Sequence, residues 1–433
     1  MAYEDLVQWM FNLERFGIKL GLDNMTEFLS RIGDPHRDFR SIHVTGTNGK
    51  GSVCAFLASM LAQGGYRVGL YTSPHLVDFR ERVRVNGSMI SQEDVVRIGG
   101  ELRSAMETMA QESSEKQLTF FEFTTGLAFK HFSEMNVDVA VVEVGMGGRL
   151  DATNVITPEV AGITRVGLEH TAYLGRTTLE IAREKAGIIK TRIPVVSCER
   201  SPEIVSLFKS ICGKREAELR LVNEDFRVEN RTQTDRGSRF DFVGVGRLEG
   251  LQIPLIGDHQ IENAAMAVAM TELLSRKGFD LSEETIRTGL AETEWKGRLE
   301  IWSTNPLVIL DGSHNPEGVE TAVRALKARK MVPLTYIVAC MDDKDATGII
   351  RALSTTAARL IVTQVDIRRS MSAADLMEVA AVVSSGDIEM CADIGDALDR
   401  AMAEVRGEGV CVIGSFYLVG EAIKQLSLEG SDA

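Results

Sequence analysis

The sequence predicts an α/β protein of two domains, and three observations predict it. Short apolar runs alternate with helical patterns along most of the chain, as in a mostly parallel sheet covered by helices. That pattern is interrupted around residues 218–256, and a second series of apolar runs begins near residue 306. A chain of 433 residues is also longer than one typical domain.

The first series places strands at residues 41–45, 67–72, 138–144, 160–165 and 194–198. Residues 218–256 turn to polar–apolar alternation (LRLVNEDFRVENRTQTDRGSRFDFVGVG and onward), which reads as an antiparallel excursion with turns. A helix is expected over residues 263–276 (NAAMAVAMTELLSR). The second series places strands at 307–310, 335–340, 359–364, 388–391 and 410–413. The stretch ETEWKGRLEIW (292–302) is the natural joint, dividing the chain into domains 1–295 and 296–433.

Composition excludes several classes. Six cysteines (Cys54, Cys198, Cys212, Cys340, Cys391, Cys411) are scattered with no C-x-x-C pair, so they read as reduced core thiols rather than a disulfide framework or zinc site. The N-terminus lacks a basic region followed by an apolar run, and no 18-residue apolar stretch occurs. The expectation is a soluble, cytoplasmic protein without a membrane partner. A net charge of −14 with no lysine- or arginine-rich run argues against nucleic acid. An acidic protein binds an anion such as ATP through local devices: backbone N–H groups, one or two cations and a metal ion.

Four stretches carry candidate chemistry. VTGTNGKGSV (44–53) lies between a strand and a helical run, the arrangement that points N–H groups at phosphate, with Lys50 to reach the β- and γ-phosphates. Its first glycine comes two residues late for the usual phosphate loop, and Ser52 is displaced by one. In DVAVVEVGMGGRLDATN (138–154) an apolar strand ends in Glu143, which suits Mg²⁺ and equally suits a solvated strand end. RVGLEHTAYLGRTTLEIAREKAGIIK (165–190) carries Glu169 and His170 past another strand, and Lys185 in a helix; taken singly, these are ordinary polar and helix-surface residues. LVILDGSHNPEG (307–318) ends a strand in Asp311, followed by His314; this suits a ribose or a cation, and also a plain turn.

Together these stretches closely resemble the Mur ligase superfamily, in its folate branch. The matching segments are FGIKLGL (16–22), HVTGTNGKGSV (43–53), YTSPHL (71–76), ERVRVNG (81–87), TFFEF (119–123), EVGMGGRLDATN (143–154), GLEHT (167–171), REKAGI (183–188), GDHQIENAAMA (257–267), KGRLE (296–300), DGSHNP (311–316) and GSFYLVGE (414–421). They run in family order through nearly the whole chain. The resemblance implies an N-terminal P-loop ATPase-type parallel sheet and a C-terminal Rossmann-like domain, with ATP bound between them. GTNGKGS is then the family's own phosphate loop.

The resemblance assigns Thr47, Asn48, Gly49, Lys50, Gly51 and Ser52 to ATP, joined by Asn263, Arg298, Asp311 and His314. It makes Ser73, Glu143 and His170 the Mg²⁺ ligands, with two metal sites in all, and Lys185 a carbamylated lysine. Lys50, Lys185 and His170 are the candidate catalytic residues. Thr72, Phe121, Glu122, Leu150, Asp151 and Ala152 line the pterin site, helped by the segment around Asn12–Arg15; Phe121 as simple core is the alternative. Two positions depart from the family pattern: Glu169 where Asp is usual, and Lys296 where Pro is common.

The implied reaction is ATP-dependent amide formation through an acyl phosphate. L-Glutamate is added to dihydropteroate and to the γ-carboxyl of reduced folates, by a monomer. A monofunctional enzyme of either kind, or a Mur-type ligase for another pterin or peptide carboxylate, stays open. A nucleotide-dependent switch would need N-K-x-D, which is absent, and would leave DGSHNP and KGRLE unexplained.

Overall fold

The computed structural model describes residues 2–17, 19, 21–234 and 237–429; at residues 15, 16 and 429 it describes the main chain alone. Ile18 and Leu20 of FGIKLGL, and the Arg15 side chain, lie outside the described residues.

The first sheet is built from β1 (Arg40–Thr45), β2 (Val68–Tyr71), β3 (Val83–Val85), β4 (Ser88–Met89), β5 (Val139–Glu143), β6 (Val160–Ile163), β7 (Val195–Ser197) and β8 (Leu219–Leu221). Its order is β4-β3-β2-β5-β1-β6-β7-β8. From β2 to β8 every pairing is parallel; Val44 stands opposite Glu143, and Ile42 opposite Val160. The central strands β1, β5 and β6 are buried from Ser41, Val139 and Val160 to their ends because helices cover both faces. On one face, helix Lys50–Gln63 packs beneath helices Asp258–Ser275 and Glu283–Ala291 in a single core with β1 and β5.

A three-stranded antiparallel sheet follows: β9 (Arg227–Thr234), β10 (Gly237–Val243) and β11 (Arg247–Ile253), in the order β11-β10-β9. Phe240 and Phe242 of β10 enter the same core. The last sheet contains β12 (Glu300–Thr304), β13 (Leu307–Asp311), β14 (Leu334–Val338), β15 (Ala357–Val362), β16 (Ile388–Met390) and β17 (Val410–Ile413), ordered β12-β13-β17-β14-β15-β16. Only the β12–β13 pairing in it is antiparallel.

All ten expected strands are present, within a few residues at their ends. Four details differ. Residues 218–256 are not wholly an antiparallel excursion: β8 pairs in parallel with β7, because helix Pro202–Lys214 returns the chain to the sheet edge before the excursion begins. The joint at 292–302 already contains the start of β12, an edge strand too polar to stand out. The β3–β4 hairpin, turned by Asn86 and Gly87 at φ of 46° and 79°, adds an antiparallel edge whose Asn-Gly signal lies in ERVRVNG. The expected helix over 263–276 begins earlier, at Asp258.

Helices Glu283–Ala291 and Lys50–Gln63 approach closely at Gly289, where an added Cβ would lie 2.5 Å from the Met60 Cα. The Ser59 hydroxyl donates to the Gly289 carbonyl across the same contact at 2.6 Å. Gly289→Val is expected to lower stability by about 2 kcal/mol through overpacking, read as a lower urea midpoint. An unchanged midpoint would show that this contact does not constrain the two helices.

Candidate functional site

Strand order assembles the site. With β2, β5, β1 and β6 adjacent and parallel, the segments after their C-terminal ends lie side by side on one edge. Ser73 follows β2, Glu143 ends β5, the glycine loop follows β1, and Glu169 and His170 follow β6.

The loop has no room for side chains at two glycines. A Cβ on Gly46 (φ 147°) would lie 1.6 Å from Thr164 Oγ1, and one on Gly49 (φ 90°) 2.5 Å from Asn263 Oδ1. Thr164 Oγ1 donates to the Asn48 carbonyl at 2.8 Å, and the Thr47 amide donates to the Arg165 carbonyl at 2.9 Å. Thr47 Oγ1 accepts from the Gly167 amide at 3.0 Å. Helix Lys50–Gln63 then starts at Lys50, with Gly51 packed against the Trp295 ring and Ser52 buried. The helix N-terminus leaves N–H groups free for an anion.

Two lysines meet at one carbonyl. Lys50 Nζ donates to the Gly46 and Thr47 carbonyls at 3.1 and 3.0 Å. Lys185, 2% exposed, donates to the same Gly46 carbonyl at 2.6 Å. Burial, reinforced by the Lys50 charge, pulls the Lys185 amine down to about 7, with Glu169 and Asp151 opposing.

Beside them stand the acids. Glu143 is buried and accepts from the Ser73 amide at 3.1 Å. Burial pushes its carboxyl up, against the pull of Lys50, the Ser73 amide, Arg298 and Arg82. Burial acts the same way on Glu169, but the His314 hydrogen bond at 3.1 Å and the charges of Lys50, His314 and His170 hold that carboxyl well below its ordinary value. His170, at φ 50°, is pulled down to about 4 by burial, with the Glu169 charge opposing, so it is a neutral imidazole near neutral pH. Among the described residues no cluster of three or more His, Cys, Asp or Glu is placed to hold a metal. A buried carboxylate next to a serine, with a neutral imidazole on the same sheet edge, nevertheless fits Mg²⁺ that takes its remaining ligands from phosphate and water.

The second sheet supplies the opposite wall. Asp311 ends β13 and accepts from the Leu299 and Ser313 amides at 2.8 and 2.9 Å, which fixes the β12–β13 pair. Arg298 lies over the Phe416 ring at 4.5 Å, and among the described residues its buried Nε has no hydrogen-bond partner. A cleft of about 350 Å³ is lined by Asn48, Gly49, Ser52, Asn263, Arg298 and Asp311, among others. His314 turns from this cleft toward Glu169. Asn48, Gly49, Ser52, Asn263, Arg298 and Asp311 are thus brought together across the two sheets, with Thr47, Lys50 and Gly51 next to them in the loop, while His314 is not one of the lining residues.

The pterin candidates are more dispersed in role. Thr72 is buried, and its amide donates to the Arg82 carbonyl at 3.1 Å. The Phe121 ring covers Gly145, where a Cβ would come within 2.5 Å of it. Glu122 forms a capping box with Thr119: its Oε2 accepts from the Thr119 amide at 2.8 Å and hydroxyl at 2.9 Å. Asp151 caps the turn over Ala152–Val155, its Oδ1 accepting from the Thr153 amide and its Oδ2 from the Met146 amide. Both carboxylates therefore serve their own local turns. Leu150 is half-buried, and Ala152 is buried.

Two residues not singled out from the sequence join the site. Lys344, in the loop after β14, lies 3.5 Å from Glu169. Arg82, 5% exposed, donates its Nε to His75 Nδ1 at 2.8 Å. A position just past an apolar strand was the available signal for Lys344.

The fold, the loop and the facing wall define an ATP-dependent ligase of the Mur type. The Mur ligase middle domain matches residues 44–271, and the Mur ligase glutamate ligase domain matches residues 297–416. The dihydrofolate synthase/folylpolyglutamate synthase of Bacillus subtilis (strain 168) is 34% identical, over 98% of this chain and 99% of that protein. The crystal structure of folylpolyglutamate synthase from Thermotoga maritima is 37% identical with a TM-score of 0.86, covering 98% of this chain and 96% of that one. Mycobacterium tuberculosis folylpolyglutamate synthase complexed with ADP is 30% identical with a TM-score of 0.91, covering 97% of each chain. The chain belongs to the folate branch of the Mur ligase superfamily.

The Lys185 environment has a measurable consequence. Unfolded, a lysine holds its proton up to 10.5; folded, Lys185 holds it only up to about 7. Unfolding therefore takes up a proton between those values, and this group's contribution makes stability rise as pH climbs from about 7 toward 10. Lys185→Met should flatten that part of the profile in urea titrations at several pH values. An unchanged slope would show that Lys185 is not desolvated as described.

Proposed function

We propose that the chain is a bifunctional dihydrofolate synthase/folylpolyglutamate synthase, adding L-glutamate to dihydropteroate and to the γ-carboxyl of reduced folates. One observation carries the reading. Asn48, Gly49 and Ser52 of the lysine-bearing glycine loop and Arg298 of the second sheet's wall line the same cleft. That is a place for a polyphosphate held from both sides.

The working units are taken as 1–295 and 296–433, with ATP between them. The acceptor carboxylate attacks the γ-phosphorus, ADP leaves, and an acyl phosphate forms. The α-amine of L-glutamate then attacks the acyl carbon, phosphate leaves, the amine loses a proton and the amide is made. The protein's share is alignment and charge neutralisation. Lys50 exchanges the Gly46 and Thr47 carbonyls for phosphate oxygens. The loop amides and Arg298 add donors, and Asp311 and Asn263 hold the nucleoside. Ser73, Glu143 and His170 would hold Mg²⁺, whose chemistry is to neutralise phosphate charge. Lys185, with its amine near 7, has a neutral fraction able to take up CO₂ as a carbamate, which would reverse its charge beside the second metal. Leu150, Ala152, Thr72 and Phe121 are the proposed pterin walls, with Glu122 and Asp151 shaping the turns behind them.

The test is phosphate release from Mg-ATP with L-glutamate, offering dihydropteroate and monoglutamyl tetrahydrofolate separately. Turnover of both is expected, and turnover of one alone would make the enzyme monofunctional. EDTA should abolish turnover. Lys50→Ala should lower kcat by roughly 10²–10³-fold, as loss of a charge-stabilising group does. Full turnover in EDTA would exclude the metal-assisted route.

A further inference from the structure

The carboxyl edges of the two sheets face each other, and one short segment of the second reaches across. Asn48, in the phosphate loop, and Asn315, just past β13, exchange two amide hydrogen bonds. Asn48 Nδ2 donates to Asn315 Oδ1 at 3.3 Å, and Asn315 Nδ2 donates to Asn48 Oδ1 at 3.0 Å. Asn315 is 5% exposed, and its Oδ1 also accepts from the Gly318 amide at 2.8 Å, capping helix Pro316–Ala328. Among the described residues the Asn48 side chain has no other hydrogen-bond partner. The neighbours of Asn315 reach the same wall: His314 bonds Glu169, and Glu317 lies so close to Gly167 that a Cβ there would fall 2.2 Å from its Oε2.

We infer that Asn315 is a positioning residue for phosphoryl transfer, its amide being the strut by which the second sheet fixes the phosphate loop. The inference rests on the ATP role proposed above for that loop. A segment with glycines at 46, 49 and 51 has wide conformational freedom of its own. The first sheet holds its main chain through Thr164 and Arg165, but among the described residues the Asn48 side chain at its centre is hydrogen-bonded from the second sheet alone. A primary amide suits this post because it donates and accepts at once while its oxygen still caps a helix. The contact between the two sheets then holds the loop and Arg298 on the same cleft.

Serine caps a helix about as well as asparagine but is too short to reach Asn48, so Asn315→Ser separates the two roles. The measurement is hydrogen exchange of the ligand-free protein, followed by turnover. In N315S the Thr47 amide is expected to exchange about fivefold to tenfold faster, with helix Pro316–Ala328 unchanged. Asn48→Ser should do the same, and the double variant should add nothing further. Turnover in N315S should fall about tenfold in kcat with a smaller change in KM for ATP, since alignment rather than binding is lost. Unchanged Thr47 exchange in N315S, or accelerations that multiply in the double variant, would overturn the inference. A wild type that turns over neither acceptor would defeat the functional reading, while the exchange result would still decide the strut.

Discussion

The Gly46 carbonyl is the point around which the site is arranged. Lys50 and Lys185 both donate to it, one from the first turn of a helix and the other from a helix that follows β6. Two ammonium groups on one oxygen repel each other, and burial makes that repulsion costly. Burial, reinforced by the Lys50 charge, makes Lys185 give up its proton readily; the His314 hydrogen bond and the Lys50 charge keep Glu169 negative despite burial; and Glu143 stands within the field of Lys50.

The second sheet completes this arrangement. Its strand ends face those of the first, so the cations and carboxylates of one wall are balanced by groups on the other: His314 and Lys344 against Glu169, and Arg298 within reach of the charges of Glu143 and Glu169. Among the described residues the buried Arg298 Nε has no hydrogen-bond partner, an unfavourable arrangement for a buried donor. The acidic surface, with a net charge of −14, makes such local concentration of positive charge necessary for any anionic substrate.

Much of this was legible in the residues. The glycine loop announces itself because close approach and positive φ require glycine at fixed places, as Gly46 and Gly49 confirm. Glu143 stands out because an apolar strand that ends in an acid puts that acid at a sheet edge. Other residues carry a local signal as well. Thr119 and Glu122 form the Thr-x-x-Glu pattern of a capping box, so the Glu122 carboxylate has a partner inside its own helix. Asp151 likewise opens a short helical turn. The start of the antiparallel excursion was obscured by β8, whose three residues are too few for a period to appear.

The sequence by itself determined the strand–loop–helix units, the two α/β halves and the glycine loop between β1 and its helix, because these depend on local periodicity and on the conformations that glycine and asparagine permit. Only the tertiary structure decided which of those residues meet. Lys185 reaches Gly46 across 139 positions, and His314 reaches Glu169 across 145. Such pairs follow from strand order and from the way two sheets face each other. Those are properties of how the whole chain buries its apolar surface, and no local window contains them.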